Sequence, residues 1–206
     1  MKKSLLLTCA FCAIAANASA FDFNPYVSAK AKYAFARNEI KYTGVNESKI
    51  KINDDVWGGS VAFGTIYPLI DGDFRLELEY SKNADAEKKH NNRTLKVKTQ
   101  GVLVNAYYDF NLRTMVPIKP YVGIGFGWGQ SKFNFGGHEV KDDGASMQIG
   151  CGMNYAINRQ LDLDLGYRYI TYGDFDKTYR IPGYYYEKAD YKPRAHEISL
   201  GFRYKF

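Results

Sequence analysis

The stretch HEISLGFRYKF, residues 196–206, ends the chain with a large apolar side chain at every second position. The polar or small residues of this stretch alternate with Ile198, Leu200, Phe202, Tyr204 and Phe206. Strict alternation predicts a β-strand with one apolar and one polar face, because successive side chains of a strand point to opposite sides. The predicted strand ends on an aromatic residue of its apolar face.

The same alternation recurs in seven further segments. They are residues 25–36, 56–67, 74–80, 100–110, 121–129, 145–155 and 161–169. Leu103 is an exception, because it places an apolar side chain on the polar face of its segment. The 206-residue chain contains 18 Tyr and 13 Phe but only 6 Pro, a usage that favours strands. We therefore expect an all-β protein with eight strands.

Short and long connections alternate between these segments. The short ones lie near residues 68–73, 111–119 and 158–160, and the long ones span residues 38–55, 83–93, 131–144 and 171–194. An even number of strands joined by short and long connections in turn is typical of outer-membrane barrels. We therefore predict an eight-stranded antiparallel transmembrane up-and-down β-barrel of the bacterial outer membrane, with the long connections as four extracellular loops.

Aromatic residues near the strand ends favour a membrane barrel over a soluble fold. If the first strand runs outward, the outer ends carry Tyr33, Phe35, Trp57, Tyr80, Trp128, Tyr167 and Tyr169. The inner ends carry Tyr67, Phe74, Tyr108, Phe110, Tyr155, Tyr204 and Phe206. Two such belts are expected where a barrel meets the two membrane interfaces. A soluble sandwich or a lipocalin is the alternative, and it would bury the apolar face instead.

Residues 1–20 predict a cleaved signal peptide. A basic start, MKK, precedes an apolar run and the small residues Ala18, Ser19 and Ala20, a pattern that favours cleavage before Phe21. A membrane-spanning helix and a lipoprotein anchor are the alternatives. Residues 21–206 then form one barrel domain with a single cysteine, Cys151, so that no internal disulfide can form. We expect export to the outer membrane, insertion by the barrel assembly machinery, and a monomer.

The polar face of the strands is expected to face the barrel interior. It carries six cations and six anions, namely Lys30, Lys32, Arg75, Arg168, Arg203, Lys205, Glu77, Glu79, Asp109, Asp162, Asp164 and Glu197. Eight strands leave an interior that side chains just fill, and buried charges persist when they are paired. We therefore expect a salt-bridged plug, with a narrow charged channel as the alternative. The glycines at 123, 125, 127 and 129 are expected to make room for long arginines.

The sequence contains no clear arrangement of catalytic side chains, and we expect no catalytic residue, no cofactor and no metal site. His196 and Ser199 are three residues apart, so they face opposite sides of a strand, unlike the His and Ser of a barrel-type lipid A deacylase. The acidic pairs 54–55 and 142–143 are interpreted as solvated loop carboxylates. The basic isoelectric point of about 9.0 is shared by many nucleic-acid-binding proteins, but an exported barrel has no expected nucleic-acid partner.

Two groups of residues are candidates for contacts outside the barrel. The fourth loop is the longest, and its tyrosine-rich centre offers Tyr179, Arg180, Tyr184, Tyr185 and Tyr186 for recognition. The alternative is that these rings pack on one another and on the barrel rim. Lys96 and Lys98 share the parity of the lipid-facing Val102, so they are expected to reach lipopolysaccharide phosphates, unless a bulge at Gly101 turns them away.

Four stretches carry a resemblance to a known family. GVLVNAYYDF, IKPYVGIGFGWGQSK, LDLDLGYRY and HEISLGFRYKF resemble the opacity (Opa) proteins, also called opacity family porins, of Gram-negative outer membranes. The resemblance implies an eight-stranded barrel and an adhesin whose exposed loops bind a host-cell receptor or a glycan. The aromatic end of this chain, with Tyr204 and Phe206, resembles the carboxyl-terminal signature by which outer-membrane barrels are recognised for assembly. A narrow porin for passive diffusion and a structural barrel for envelope integrity are the alternatives.

Overall fold

The computed structural model of the chain describes residues 24–43, 48–84, 86–90, 93–112, 116–135, 138–172, 175–179, 187–191 and 194–206. The described strands are β1 Asn24–Thr43, β2 Ser48–Pro68, β3 Gly72–Asn83, β4 Ala86–His90, β5 Arg93–Phe110, β6 Ile118–Phe135, β7 His138–Ala156, β8 Leu161–Tyr172, β9 Phe175–Tyr179, β10 Glu187–Tyr191 and β11 Arg194–Lys205. In these segments no helix is long and apolar enough to cross a membrane.

Eight of these strands close into a barrel, which confirms the predicted fold. β1, β2, β3, β5, β6, β7, β8 and β11 pair antiparallel with their neighbours in chain order. β11 then pairs with β1 from Tyr26 opposite Lys205 to Ala36 opposite Ala195. Closure leaves the barrel with no open edge, so the backbone groups of every strand can be hydrogen-bonded within the membrane.

The four segments predicted as extracellular loops are largely β-structure. β1 and β2 stay paired as far as Tyr42 opposite Ser48, and β6 and β7 as far as Phe135 opposite His138. β4 pairs with β5, while β9 and β10 form a hairpin whose strand β10 also pairs with β1. Strand pairing therefore continues into all four of the predicted loop segments. We call the four extensions, residues 38–55, 83–93, 131–144 and 171–194, the first to fourth outer hairpins.

The apolar face of the barrel strands is exposed, as a lipid-facing surface requires. Trp57 is 65% exposed, and Val104, Phe126 and Ile149 are also exposed, whereas charged residues of the opposite parity are buried. This arrangement contradicts the soluble alternative. Aromatic contacts lie at both ends of the barrel, among them Tyr33 with Trp57 at the outer end, where the ring centroids are 4.8 Å apart.

Interior glycines make room for tyrosine rings. A Cβ atom built on Gly64 would lie 2.5 Å from Cζ of Tyr26, and one built on Gly152 would lie 2.5 Å from Cζ of Tyr121. A Cβ atom built on Gly123 would likewise collide with the ring of Tyr107. The expectation that Gly123 leaves room for an arginine was therefore wrong, because a neighbouring tyrosine ring takes that space.

The substitution Gly64→Ala is expected to lower the free energy of unfolding of the barrel by about 1–3 kcal/mol, the usual cost of overpacking. The new Cβ would collide with the backbone carbonyl of Leu76, also at 2.5 Å, which cannot move aside as a side chain can. Gly59→Ala is the matched control on the same strand, because its Cβ would meet only the Lys30 carbonyl oxygen at 3.6 Å. Urea unfolding in phospholipid vesicles measures both variants, and equal losses would contradict this packing.

Candidate functional site

The barrel interior collects all twelve charged residues of the polar face. They come from five strands. Lys30 and Lys32 are on β1, Arg75 and the acids Glu77 and Glu79 are on β3, and the remainder are on β5, β8 and β11. Most of their side chains are buried, although the lipid-facing residues beside them in sequence are exposed. The structure therefore brings this set together around the barrel axis.

A first cluster of charges lies at the end of the barrel where β1 begins and β11 ends. Arg75 donates two hydrogen bonds to Asp109, from Nε to Oδ2 at 2.5 Å and from Nη2 to Oδ1 at 2.9 Å. Arg203 donates from Nη2 to Oδ2 of Asp164 at 2.8 Å. Lys205 donates to Asp162 at 2.8 Å. Paired, charge-assisted bonds of this kind are the geometry in which buried charges are stable.

A second cluster lies nearer the outer end and is organised by Arg168. Its Nε donates to Oε2 of Glu197 at 2.6 Å, and its Nη1 donates to both carboxylate oxygens of Glu79 at 3.0 Å. Lys32 adds a second cation 3.6 Å from Glu197. Lys30 lies 3.4 Å from Asp164 of the first cluster and lines the same small cavity as Glu79 and Arg168 of the second, so the two clusters adjoin along the interior.

Tyrosines and amides complete this network. Glu77 accepts hydrogen bonds from the hydroxyls of Tyr26 at 2.9 Å and Tyr107 at 3.4 Å, and from Nδ2 of Asn105 at 3.4 Å. The guanidinium carbon of Arg75 lies 4.4 Å from the ring centroid of Tyr107, a cation–π distance. These neutral groups occupy space that water would otherwise fill.

An apolar layer lies on the outer side of the charges. Leu103, Ile170, Ala34 and Ala195 form a buried cluster inside the barrel, and Leu103 and Ile170 are fully buried. Each lies two residues outward of a polar member of the network, respectively Asn105, Arg168, Lys32 and Glu197. The sequence shows Leu103 as an apolar residue on a polar face. It does not predict the layer, because the other three members come from other strands.

Two spaces can be described along the interior. A cavity of about 30 Å³ lies among Lys30, Lys32, Glu79 and Arg168, which is room for one or two water molecules. A wider recess of about 440 Å³ opens at the end with the termini, where its lining includes Lys205. The recess ends against the first charge cluster, because Asp109 and Arg203 line it.

Two acidic residues and one histidine near the outer rim bond to aromatic side chains. Asp55 accepts a hydrogen bond from the hydroxyl of Tyr33 at 3.1 Å, and Asp143 accepts one from Nε1 of Trp128 at 3.2 Å. His196 lies on the outer surface with Nδ1 2.6 Å from the hydroxyl of Tyr167. Within the described residues, no group of three or more His, Cys, Asp or Glu could hold a metal ion.

Several predicted contact residues lie at or beyond the limits of the description. Arg180 and the three tyrosines 184–186 lie outside the described residues, as does the predicted signal peptide 1–20. Tyr179 is in β9 opposite Glu187. Lys96 and Lys98 are in β5, whose pairing with β6 runs without interruption past Gly101, so the alternative of a bulge there is wrong. Both lysines thus keep the parity of the lipid-facing residues.

Comparison with known proteins gives relatives with the same architecture. The chain matches the family described as outer membrane protein beta-barrel domain over residues 4–206. It is 25% identical over 242 residues to opacity protein opA56 of Neisseria gonorrhoeae, covering 88% of this chain and 97% of that protein. It is 27% identical over 177 residues to outer membrane protein PagN of Salmonella typhimurium, covering 73% of each. The crystal structure of neisserial surface protein A superposes with a TM-score of 0.55 at 24% identity, over 88% of this chain and 97% of that one.

Proposed function

This chain belongs to the outer-membrane β-barrel family that includes the opacity proteins, and from that premise we propose that it is a surface adhesin. The barrel anchors the protein in the outer membrane, and its outer hairpins bind a host-cell receptor or a glycan. The function is one of binding, without catalysis or a cofactor.

The filled interior is the observation that carries this proposal. Ion pairs occupy the barrel between the terminal recess and Arg168, and the Leu103 layer covers them on the outer side. Fixed ion pairs followed by an apolar constriction oppose the passage of water and ions. This arrangement argues against the alternative of a narrow porin and leaves the outer surface as the part available for a partner.

The described strands of the outer hairpins are paired in sheet structure, and two of them, β9 and β10, flank the proposed contact region. Strand β10 pairs with β1 from Ile40 opposite Tyr191 to Thr43 opposite Lys188, which joins the fourth hairpin to the first. The tyrosine-rich centre of the fourth hairpin, with Tyr179, Arg180 and Tyr184–Tyr186, is the proposed contact region.

Shortening the fourth outer hairpin tests the proposal. Replacing residues 173–193 by a short Gly-Ser turn is expected to reduce binding of nanodisc-embedded protein to cultured epithelial cells, and to immobilised heparin oligosaccharide, to the background of empty nanodiscs. A matched variant shortens the third hairpin at residues 133–140 and is expected to retain binding. Heat-modifiable mobility in gel electrophoresis verifies that both barrels fold. Unchanged binding after each of the four hairpins is shortened in turn would overturn the proposal.

The carboxyl-terminal strand supports a second, subsidiary proposal, namely that Tyr204 and Phe206 present the signal read by the barrel assembly machinery. Both side chains lie on the lipid-facing surface, and their ring centroids are 5.4 Å apart. The backbone N–H of Phe206 donates to the Pro25 carbonyl at 3.1 Å, so the last residue is fixed at the closure between β11 and β1.

A further inference from the structure

Four polar side chains form one row across neighbouring strands on the outward face of the barrel. Lys82 of β3 is directly opposite Gln100 of β5. Gln100 is opposite Gln130 of β6, which in turn is opposite Asp143 of β7. We call these four residues the polar row. Three strand spacings of about 4.8 Å separate its two ends, so the row is about 14 Å long.

The polar row lies at the outer boundary of the lipid-facing surface. Tyr80, Val102 and Trp128 each lie two residues nearer the membrane centre than a member of the row, and all three are exposed. A spacing of two residues in a strand places side chains on the same face. On the other side of the row, β5, β6 and β7 continue into the second and third outer hairpins. The row therefore lies where an outer-leaflet lipid changes from acyl chain to headgroup.

Hydrogen bonds connect the row to the aromatic belt beneath it. The Tyr80 hydroxyl donates to Oε1 of Gln100 at 3.3 Å, and Nε2 of Gln100 donates to Oε1 of Gln130 at 3.0 Å. Nε1 of Trp128 donates to Oδ2 of Asp143 at 3.2 Å. An amide carries two N–H donors, so Gln100 and Gln130 can still donate to a molecule on the outer surface. Both glutamines are partly exposed, which leaves these groups accessible.

The chemical groups follow one another along the row as cation, amide, amide and carboxylate. Lys82 and Asp143 are both exposed, and about 14 Å of row separates them, so they do not pair with each other. The row thus complements a headgroup with an anionic group at one end and neutral hydroxyl or amide groups along the rest of its length. At the Asp143 end a hydroxyl can donate to the carboxylate, whereas a phosphate would be repelled.

We propose that the polar row binds the headgroup of lipopolysaccharide, with one phosphate at Lys82 and the disaccharide over the two glutamines. The occupant is a membrane lipid because the row faces sideways above Tyr80, Val102 and Trp128, whose exposed side chains can contact acyl chains. It is a glycolipid because the headgroup of a glycerophospholipid covers only part of the row. This site goes beyond the proposed adhesin function and does not depend on the partner of the fourth outer hairpin.

Replacing three members of the row tests the site. K82Q/Q100V/Q130V is expected to weaken binding of fluorescent monophosphoryl lipid A to the micelle-embedded protein by about 50-fold, with about fivefold from the lysine and about tenfold from the two amides. The control K119Q/H196Q removes a cation at the opposite end of the barrel and a polar side chain of the outer belt on β11, and it is expected to leave the affinity unchanged. Heat-modifiable mobility verifies that both variants fold.

A second lipid separates recognition of the headgroup from attraction of charge alone. Phosphatidylglycerol carries the negative charge but lacks the disaccharide. The double variant Q100V/Q130V is therefore expected to bind phosphatidylglycerol as the unchanged protein does, while its affinity for monophosphoryl lipid A falls about tenfold.

The substitution D143N gives a readout that depends on sign. In buffer containing EDTA it is expected to tighten binding of diphosphoryl lipid A about fivefold, because it removes a negative charge from the place of the second phosphate. Asparagine keeps an oxygen that can accept the Trp128 N–H. Binding of monophosphoryl lipid A is expected to stay within about twofold, since its single phosphate lies at Lys82.

Several results would overturn the site: an unchanged lipid A affinity in the triple variant, an equal loss in K119Q/H196Q, or an equal loss of phosphatidylglycerol and lipid A in Q100V/Q130V. Weaker binding of diphosphoryl lipid A by D143N would also overturn it. Loss of heparin octasaccharide binding in the triple variant, with lipid A binding retained, would assign the row to a soluble sulfated glycan instead.

Discussion

Replacing Arg168 by methionine is expected to lower the free energy of unfolding by about 3–5 kcal/mol, the cost of removing one partner from a buried ion pair. The side chain of Arg168 is only 12% exposed, and it bonds the carboxylates of Glu79 and Glu197, which are almost fully buried. Methionine preserves much of the volume but leaves both acids with fewer donors. Urea unfolding of the refolded protein in phospholipid vesicles measures the loss.

The control for Arg168 is an exposed ion pair in the same protein. Lys119, whose side chain is 46% exposed, lies 2.5 Å from Asp73 at the end with the termini. Lys119→Met removes one cation as Arg168→Met does, but exposed pairs contribute only about 0–1 kcal/mol. Adding Glu197→Gln to Arg168→Met is expected to recover part of the loss, because it removes a buried negative charge that has lost its Arg168 donor. Equal losses at Arg168 and Lys119 would contradict the interior network.

The Arg75–Asp109 pair is expected to show strong coupling in a double-mutant cycle. Arg75 is fully buried and bonds Asp109 through two nitrogens. Arg75→Met and Asp109→Leu are each expected to cost about 3–5 kcal/mol, whereas the double variant is expected to be as stable as the unchanged protein within about 1 kcal/mol, or more stable.

The measurement for this pair is thermal unfolding of the unchanged protein, the two single variants and the double variant, all in the same zwitterionic detergent. Asn154 donates to Asp109 at 3.3 Å and also accepts from Arg203 at 2.8 Å, so the double variant leaves it with one partner. A loss in the double variant equal to the sum of the single losses would show that the two side chains do not act as a pair.

The barrel and its sidedness could be predicted from the sequence because strand periodicity assigns each residue to a face. In FRLELEY, for example, Arg75, Glu77 and Glu79 alternate with lipid-facing residues, and the structure has this alternation. The pairing of individual charges could not be predicted, because it depends on the stagger between strands after closure. Arg168 and Glu79 are 89 residues apart in sequence and meet only across the closed interior.

One further feature depended on the same long-range register. Leu103 interrupts the polar face of its own segment, yet it packs with Ala34, Ile170 and Ala195 from three other strands. The continuation of strand pairing into the predicted loop segments has a different basis. The sequence of segments such as 49–52 still alternates, but charged residues share the parity of the lipid-facing residues further along the strand, so the composition resembles that of a loop.

Single-channel recording of the refolded protein in a planar bilayer tests the central claim, that the interior is closed and the outer surface carries the function. The filled interior and the Leu103 layer predict no discrete openings, with the fourth outer hairpin either present or removed. Reproducible openings of uniform conductance in the intact protein would contradict a closed barrel and would make diffusion through the interior its function.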